Sequence, residues 1–164
     1  MIPPSLDLKH GRYLYMDGIY HAYLMIPAAG SRAQVIAGWM ALLVNAGDGI
    51  DVDLFLERQP KERMMQKIGQ QIRINRSKIK DTSDTNSDFD DLSNAIRSGY
   101  YLKDGLANNE DFYYAAILVT VTAASVKDLE WRIGEIRKLM VSLDMNLQLC
   151  SFRQEAALLS SLPL

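Results

Sequence analysis

Between Phe112 and Cys150 the chain spells out a strand, a helix and a second strand in close succession, and this order constrains the fold more than any other part of the sequence. Phe112 to Thr122 is rich in aromatic and β-branched residues and apolar on both alternating sets, the pattern of a central strand buried on two faces. Its burial is expected to exceed that of any other segment. Ser125-Val-Lys-Asp128 resembles a capping box with Asp in the Glu position. Val126, Leu129, Ile133, Ile136, Met140 and Leu143 then step by three and four, as on one face of a helix. Asp144 to Asn146 breaks that period, and Leu147 and Leu149 alternate with Gln148 and Cys150 in a last strand.

A similar order opens the chain. Arg12 to Ile26 carries Asp17-Gly18 between two β-rich runs, and Asp-Gly supplies the positive φ angles of a tight hairpin turn. Ser31 is a candidate cap for a helix with Val35, Trp39, Leu42 and Ala46 on one face, ended by Gly47. Ile50 to Arg58 alternates, predicting a half-buried strand with Val52, Leu54 and Leu56 on its inner side. Pro60 suits the first turn of a second helix striped by Met64, Ile68, Ile72 and Ile79. A third helix, capped by Ser87 or Asp88, would bury Phe89, Leu92, Ile96 and Tyr100 before Gly105 and Asn108-Asn109. Two β-α-β units in one chain predict an α+β fold. It is read as a ferredoxin-like sheet with an extra N-terminal hairpin strand and a two-helix insertion at about residues 61–108, all in one domain over 1–164.

Composition narrows the function classes. With 164 residues, 48% hydrophobic, 23% charged and a net charge of −2, the chain can build a core and has no general attraction to nucleic acid or membrane. The longest apolar stretch, Tyr113 to Ala124, is too short and too threonine-rich to span a bilayer, and Met1 to Ser5 does not read as a secretory signal. A cytoplasmic location is expected.

Catalytic constellations are missing. No Gly-Lys dipeptide occurs, so a phosphate-cradling loop of the Gly-Lys-Ser kind is not encoded, and Gly47 and Gly49 lie between a helix and a strand, the reverse of the order that aims a helix N-terminus at a phosphate. Asp51, Asp53 and Glu57 share a strand face, which reads as solvated rather than metal-binding, since no histidine lies nearby. Cys150 has no histidine close in sequence to activate it, His10 and His21 show no ligand spacing, and there is no Gly-x-Ser-x-Gly elbow. The tyrosines at 13, 15, 20 and 23 are expected to pack across the first hairpin. No catalytic residue, cofactor or metal is therefore expected in this chain.

The sharpest charge feature is the second helix, where Lys61, Arg63, Lys67, Arg73, Arg76, Lys78 and Lys80 outnumber Glu62. Lys67, Arg73, Arg76 and Lys80 are the candidate patch for nucleic acid, anionic lipid or an acidic partner, although Asp81, Asp84, Asp88, Asp90 and Asp91 follow and could neutralise it. A nucleic-acid binding module is the alternative reading. A small hydrolase of the acylphosphatase kind ranks last, because Asp17-Gly18 is too tight a turn to cradle an anion.

The C-terminal run Ser151-Phe-Arg-Gln-Glu-Ala-Ala-Leu-Leu-Ser-Ser-Leu-Pro-Leu164 combines Arg153-Gln154-Glu155, a short apolar helix and a Leu162-Pro163-Leu164 stop. It resembles the N-terminal domain of conjugative transfer ATPases, the traffic ATPases of type IV secretion systems. In that family a similar Arg-Gln-Glu followed by Leu-Pro-Leu closes the domain before the nucleotide-binding motor. The order of Tyr20 to Pro27, Trp39 to Leu43, Asp51 to Pro60 and Phe112 to Ser125 is similar as well, so that the likeness covers nearly the whole chain. The resemblance implies a domain that contacts other conjugation channel proteins and its own ATPase domain, is homo-oligomeric in the intact protein, and sits at the inner face of the cell membrane. It marks Arg153, Gln154, Glu155, Leu162 and Pro163 as motif and interdomain-contact positions. ATP and Mg are implied for the full-length protein, whereas this chain departs from the family by lacking both nucleotide-binding motifs and reads as an excised domain.

Overall fold

In a computed structural model of the chain, the structure describes residues 6–7, 10–27, 35, 37–81 and 86–162. The elements in order are β1 (Leu6–Asp7), β2 (Leu14–Met16), β3 (Ile19–Met25), α1 (Trp39–Val44), β4 (Ile50–Gln59), α2 (Lys61–Asp81), α3 (Asn86–Ala107), β5 (Phe112–Ala123), α4 (Val126–Val141), β6 (Gln148–Leu149) and α5 (Gln154–Ser161). The chain divides into two compact units, one from Met1–Phe55 and Ala116–Leu164, the other from Leu56–Ala115.

The fold is α+β. A six-stranded sheet runs in the order β1-β2-β3-β5-β4, with β6 paired to β3 off this path. Asp17 (φ 51°) and Gly18 (φ 85°) both take positive φ, so the turn matches the right-handed twist of the strands it joins and sets Met16 opposite Ile19. β3 then pairs antiparallel with β5 from Tyr20↔Ala123 to Met25↔Leu118. On its other flank β3 meets β2 as far as Leu14↔His21 and β6 from Leu24↔Leu149. That leaves a break in the ladder at Ala22 and Tyr23.

The main core of the first unit lies between the sheet and α4, with Leu24, Val119, Val121, Leu129, Ile136 and Met140 among its buried residues. α4 follows the sequence pattern closely: Leu129, Ile133, Ile136 and Met140 are buried, while Val126 and Leu143 are half-buried at its ends. Ser125 caps it, its hydroxyl oxygen accepting from the Asp128 N–H at 3.1 Å and its O–H donating to the Asp128 carboxylate at 2.7 Å. The acid is thus held by the cap hydroxyl.

Three expectations for this unit need correction. α1 begins only at Trp39, because Gly38 stands before it in the left-handed conformation (φ 78°), and Val35 lies outside the helix; Leu43 is the residue it buries, while Leu42 and Ala46 are exposed. The proposed cap Ser31 lies outside the described residues. In β4 only the start is covered: Ile50 and Val52 pack against the core, but Leu54 and Leu56 are exposed. β5 is buried over Leu118–Val121 and at Ala123, but Tyr113 to Ala116 are exposed. The cause is the same for both strands: β3 pairs with β5 only from Leu118 onward, and the residues of β4 and β5 within the main core fall at the β4 start and the β5 end.

In the second unit α2 and α3 pack on each other. Among the described residues Met64, Ile72, Asn75 and Leu106 are buried, and the approach is close at Gly99, where an added Cβ would stand 2.8 Å from Ile72 Cγ1. Phe89 and Tyr100, expected to be buried on α3, are exposed, and α3 runs through Gly105 to Ala107. Asp111 gathers Arg58 at 2.8 Å and Lys61 at 3.5 Å, and the Lys61 ammonium also donates to Asn109 Oδ1 at 2.8 Å. The Arg58 guanidinium holds the Asp111 carboxyl below its ordinary value.

Candidate functional site

The Arg153-Gln154-Glu155 run lies at the start of α5, and its members face different ways. Gln154 is 2% exposed, and its carboxamide fills the break in the ladder beside β3. Its Oε1 accepts from the Tyr23 N–H at 2.9 Å, while its Nε2 donates to the Cys150 carbonyl at 3.1 Å and the Tyr23 carbonyl at 3.4 Å. The Cys150 N–H donates to the same Tyr23 carbonyl at 2.9 Å. A side-chain amide here does what one residue of a neighbouring strand would do, satisfying a buried backbone N–H that β2 ends too early and β6 begins too late to reach. One turn on, Ala157 is buried against Tyr23, Leu14 and Leu118, so that α5 forms a second, smaller core on the sheet face that carries Tyr23. Burial raises the Tyr23 phenol above its ordinary value, opposed in part by the Ser161 hydroxyl.

Beside α5 that sheet face is open. A groove of about 450 Å³ is lined by Met25 and Ile26, Phe55, Ala116 to Leu118, Cys150, and the α5 side chains Arg153, Ala156, Ala157 and Ser160. Arg153 is the one charged residue among them. Burial pushes the Cys150 thiol above its ordinary value, and Arg153 pulls it partly back. Glu155, Leu159 and Leu162 are exposed on another side of α5, and Pro163 lies outside the described residues.

The basic residues of α2 do not form one patch. At roughly 100° per residue, Arg73, Arg76 and Lys80 fall within about 60° of one another, whereas Lys67 lies roughly 120° or more from each of them. The Lys67 ammonium is instead 6.0 Å from the centre of the Tyr114 ring and donates to its hydroxyl at 3.4 Å, and Arg76 reaches the Tyr100 hydroxyl at 3.4 Å. The acids expected to fold back include Asp84, which lies outside the described residues; Asp90 and Asp91 are exposed.

Of the acidic face on β4, Asp51 and Glu57 are exposed and Asp53 is half-buried, and among the described residues no group of three His, Cys, Asp or Glu side chains is placed to hold a metal. His21 stands near Asp51; burial lowers its imidazole from the ordinary 6.5 and the Asp51 charge opposes that. The four tyrosines of the first hairpin do gather in part: Tyr20 meets Tyr13 edge-on at 5.4 Å and Tyr15 at 4.9 Å. Sequence reasoning missed Phe152, whose φ of 58° turns the chain into α5 and whose N–H donates to the Gly11 carbonyl at 2.6 Å. Its ring lies against Gly11, where a Cβ would collide with it. Among the described residues no helix is long and apolar enough to cross a membrane.

What these features define is an α+β chain with an antiparallel open sheet, a second sheet face only partly covered by a C-terminal helix, and a separate helical unit rich in surface charge. No protein-family model matches the sequence, and none of the curated proteins is significantly similar to it.

Proposed function

We propose that this chain is the N-terminal protein-interaction domain of a conjugative transfer ATPase, contacting channel components of a type IV secretion system at the inner face of the membrane and its own motor domain, to which ATP and Mg belong. The observation that carries the reading is Gln154. The central residue of the Arg153-Gln154-Glu155 run is the buried lock between the C-terminal segment and β3, which gives a physical reason for such a motif to close a domain. The strand order supports the finer description as ferredoxin-like. Along β6-β3-β5-β4 the strands come alternately from two interlocked units, β5-α4-β6 and β3-α1-β4, with β1 and β2 as an N-terminal extension and α2 and α3 as an insertion.

Isothermal titration of residues 1–164 with Mg-ATP tests the assignment. No binding is expected, because the phosphate-binding loop belongs to the motor, and saturable, magnesium-dependent binding would contradict it. The nucleic-acid reading draws on the shared flank of Arg73, Arg76 and Lys80 on α2. Oligonucleotide affinity that falls steeply with salt and collapses in the Arg73→Glu, Arg76→Glu double variant would favour it over the ATPase-domain reading.

A further inference from the structure

On the α4 side of the first unit, a groove of about 610 Å³ runs between the end of α1, the turn that follows it and α4, a size common among small-ligand sites. Leu42 lines it from α1, and α4 lines it with two adjoining stripes, Trp131 and Leu139 on one and Arg132 and Ile136 on the other. Trp131 is 66% exposed, a large indole surface left facing water. Arg132 is fixed in place before any ligand arrives. Its Nη1 donates to the Thr122 carbonyl at 2.7 Å and to the Asp48 carbonyl at 2.9 Å. The guanidinium can pack against the turn because residue 49 is glycine, at φ 75°: a Cβ there would meet the guanidinium and stand 2.8 Å from the Thr122 carbonyl oxygen. Both acceptors are neutral, and among the described residues no carboxylate pairs with Arg132. The Glu135 carboxylate, in the same groove, is engaged by Lys138 at 2.8 Å. The Nε–H and Nη2–H edge of Arg132, which can grip a carboxylate with two parallel bonds, is thus held ready beside an exposed indole.

We propose that this groove is a binding site for a small aromatic monocarboxylate, its carboxylate paired with Arg132 and its ring lying against Trp131, Leu42 and Leu139. One guanidinium balances one negative charge. A phosphate dianion would face the Asp48 and Glu135 carboxylates that also line the groove, and the nearest further cation, Lys138, is already held by Glu135. Because the turn has ordered Arg132 in advance, little side-chain freedom is lost on binding. The site lies wholly in the first unit and rests neither on α5 nor on the assignment to a conjugation ATPase.

Titration of the 164-residue chain with β-naphthoate, followed by the NMR shifts of the Arg132 Nε–H and the Trp131 indole N–H, tests the site, with β-naphthamide as the uncharged probe of the same shape. Naphthoate is expected to move both resonances saturably with a dissociation constant of about 1 mM or tighter, and naphthamide to bind about tenfold more weakly. Arg132→Lys keeps the charge but loses the fork, and should weaken naphthoate about tenfold while leaving naphthamide unchanged. Trp131→Ala, at an exposed position, should weaken both probes alike. Should Arg132→Lys fail to fold, the ratio of the two probes in the wild type and the Trp131→Ala result decide. Equal affinity for the two probes, no saturable shift at either resonance, or binding indifferent to Trp131→Ala overturns the proposal. So does tighter binding of β-naphthyl phosphate, which would make this a phosphate site, or of a peptide with a free C-terminal carboxylate and no aromatic residue, which would give the groove to a polypeptide end.

Discussion

The two units of this chain are built on different terms. The first buries a continuous layer of apolar side chains between sheet and α4, including six residues of α4, β3 and β5 at 1% exposure or less: Leu24, Val119, Val121, Leu129, Ile136 and Met140. Among its described residues the second buries Met64, Ile72, Asn75 and Leu106 and presents aromatic groups such as Tyr101, Tyr113 and Tyr114 to solvent. Free energy follows burial, so the first unit is a folding core and the second a surface held together by a thin seam. The difference teaches where substitutions will be felt, and where a partner can act without unfolding the protein.

Ile136→Ala should mark the strong side of that contrast. It empties a fully enclosed position, and urea titration is expected to show a loss of about 3–4 kcal/mol. A loss as small as that of an exposed site would break the comparison. Gln154→Ala comes next, at about 2 kcal/mol, because it strands the Tyr23 N–H beneath α5 without a partner. Titration of His21, in the first unit, should have a smaller effect. The fold lowers His21 from 6.5, so the folded chain prefers the neutral ring; as pH falls through 6.5 the unfolded chain takes up the proton first and stability declines. His21→Gln is expected to flatten the melting temperature between about pH 7.5 and 5, and an unchanged slope would exclude this group as the cause. Arg58→Ala, on the weak side, is expected to leave the midpoint of unfolding unmoved, since its bond to Asp111 is made in open solvent.

Much of the stronger unit was legible in the sequence, and the reason is local. Leu129, Ile133, Ile136 and Met140 lie on one face of any helix, and Ser125 and Asp17-Gly18 act through backbone geometry within a few residues, so no knowledge of the remaining fold is needed. Periodicity reports which side chains share a face and is silent on whether a second layer covers it. That is why Leu54, Leu56, Tyr113 and Tyr114 look like core residues in the sequence and lie exposed. The separation of Lys67 from Arg73, Arg76 and Lys80 could have been found by counting along the helix. The position of Gln154 could not. Its role depends on where β2 and β6 stop along β3, a tertiary fact with no local trace, and only the resemblance drew attention to it.

Gln154 locks the C-terminal segment to the sheet, and hydrogen exchange at the Tyr23 amide reads that lock directly. In the wild type the Tyr23 N–H should exchange as slowly as those of Leu24 and Val119. In Gln154→Ala it should become much the faster of the three, while Val119 keeps most of its protection. Rapid exchange of Tyr23 in the wild type, or protection that survives removal of the Gln154 carboxamide, would contradict it.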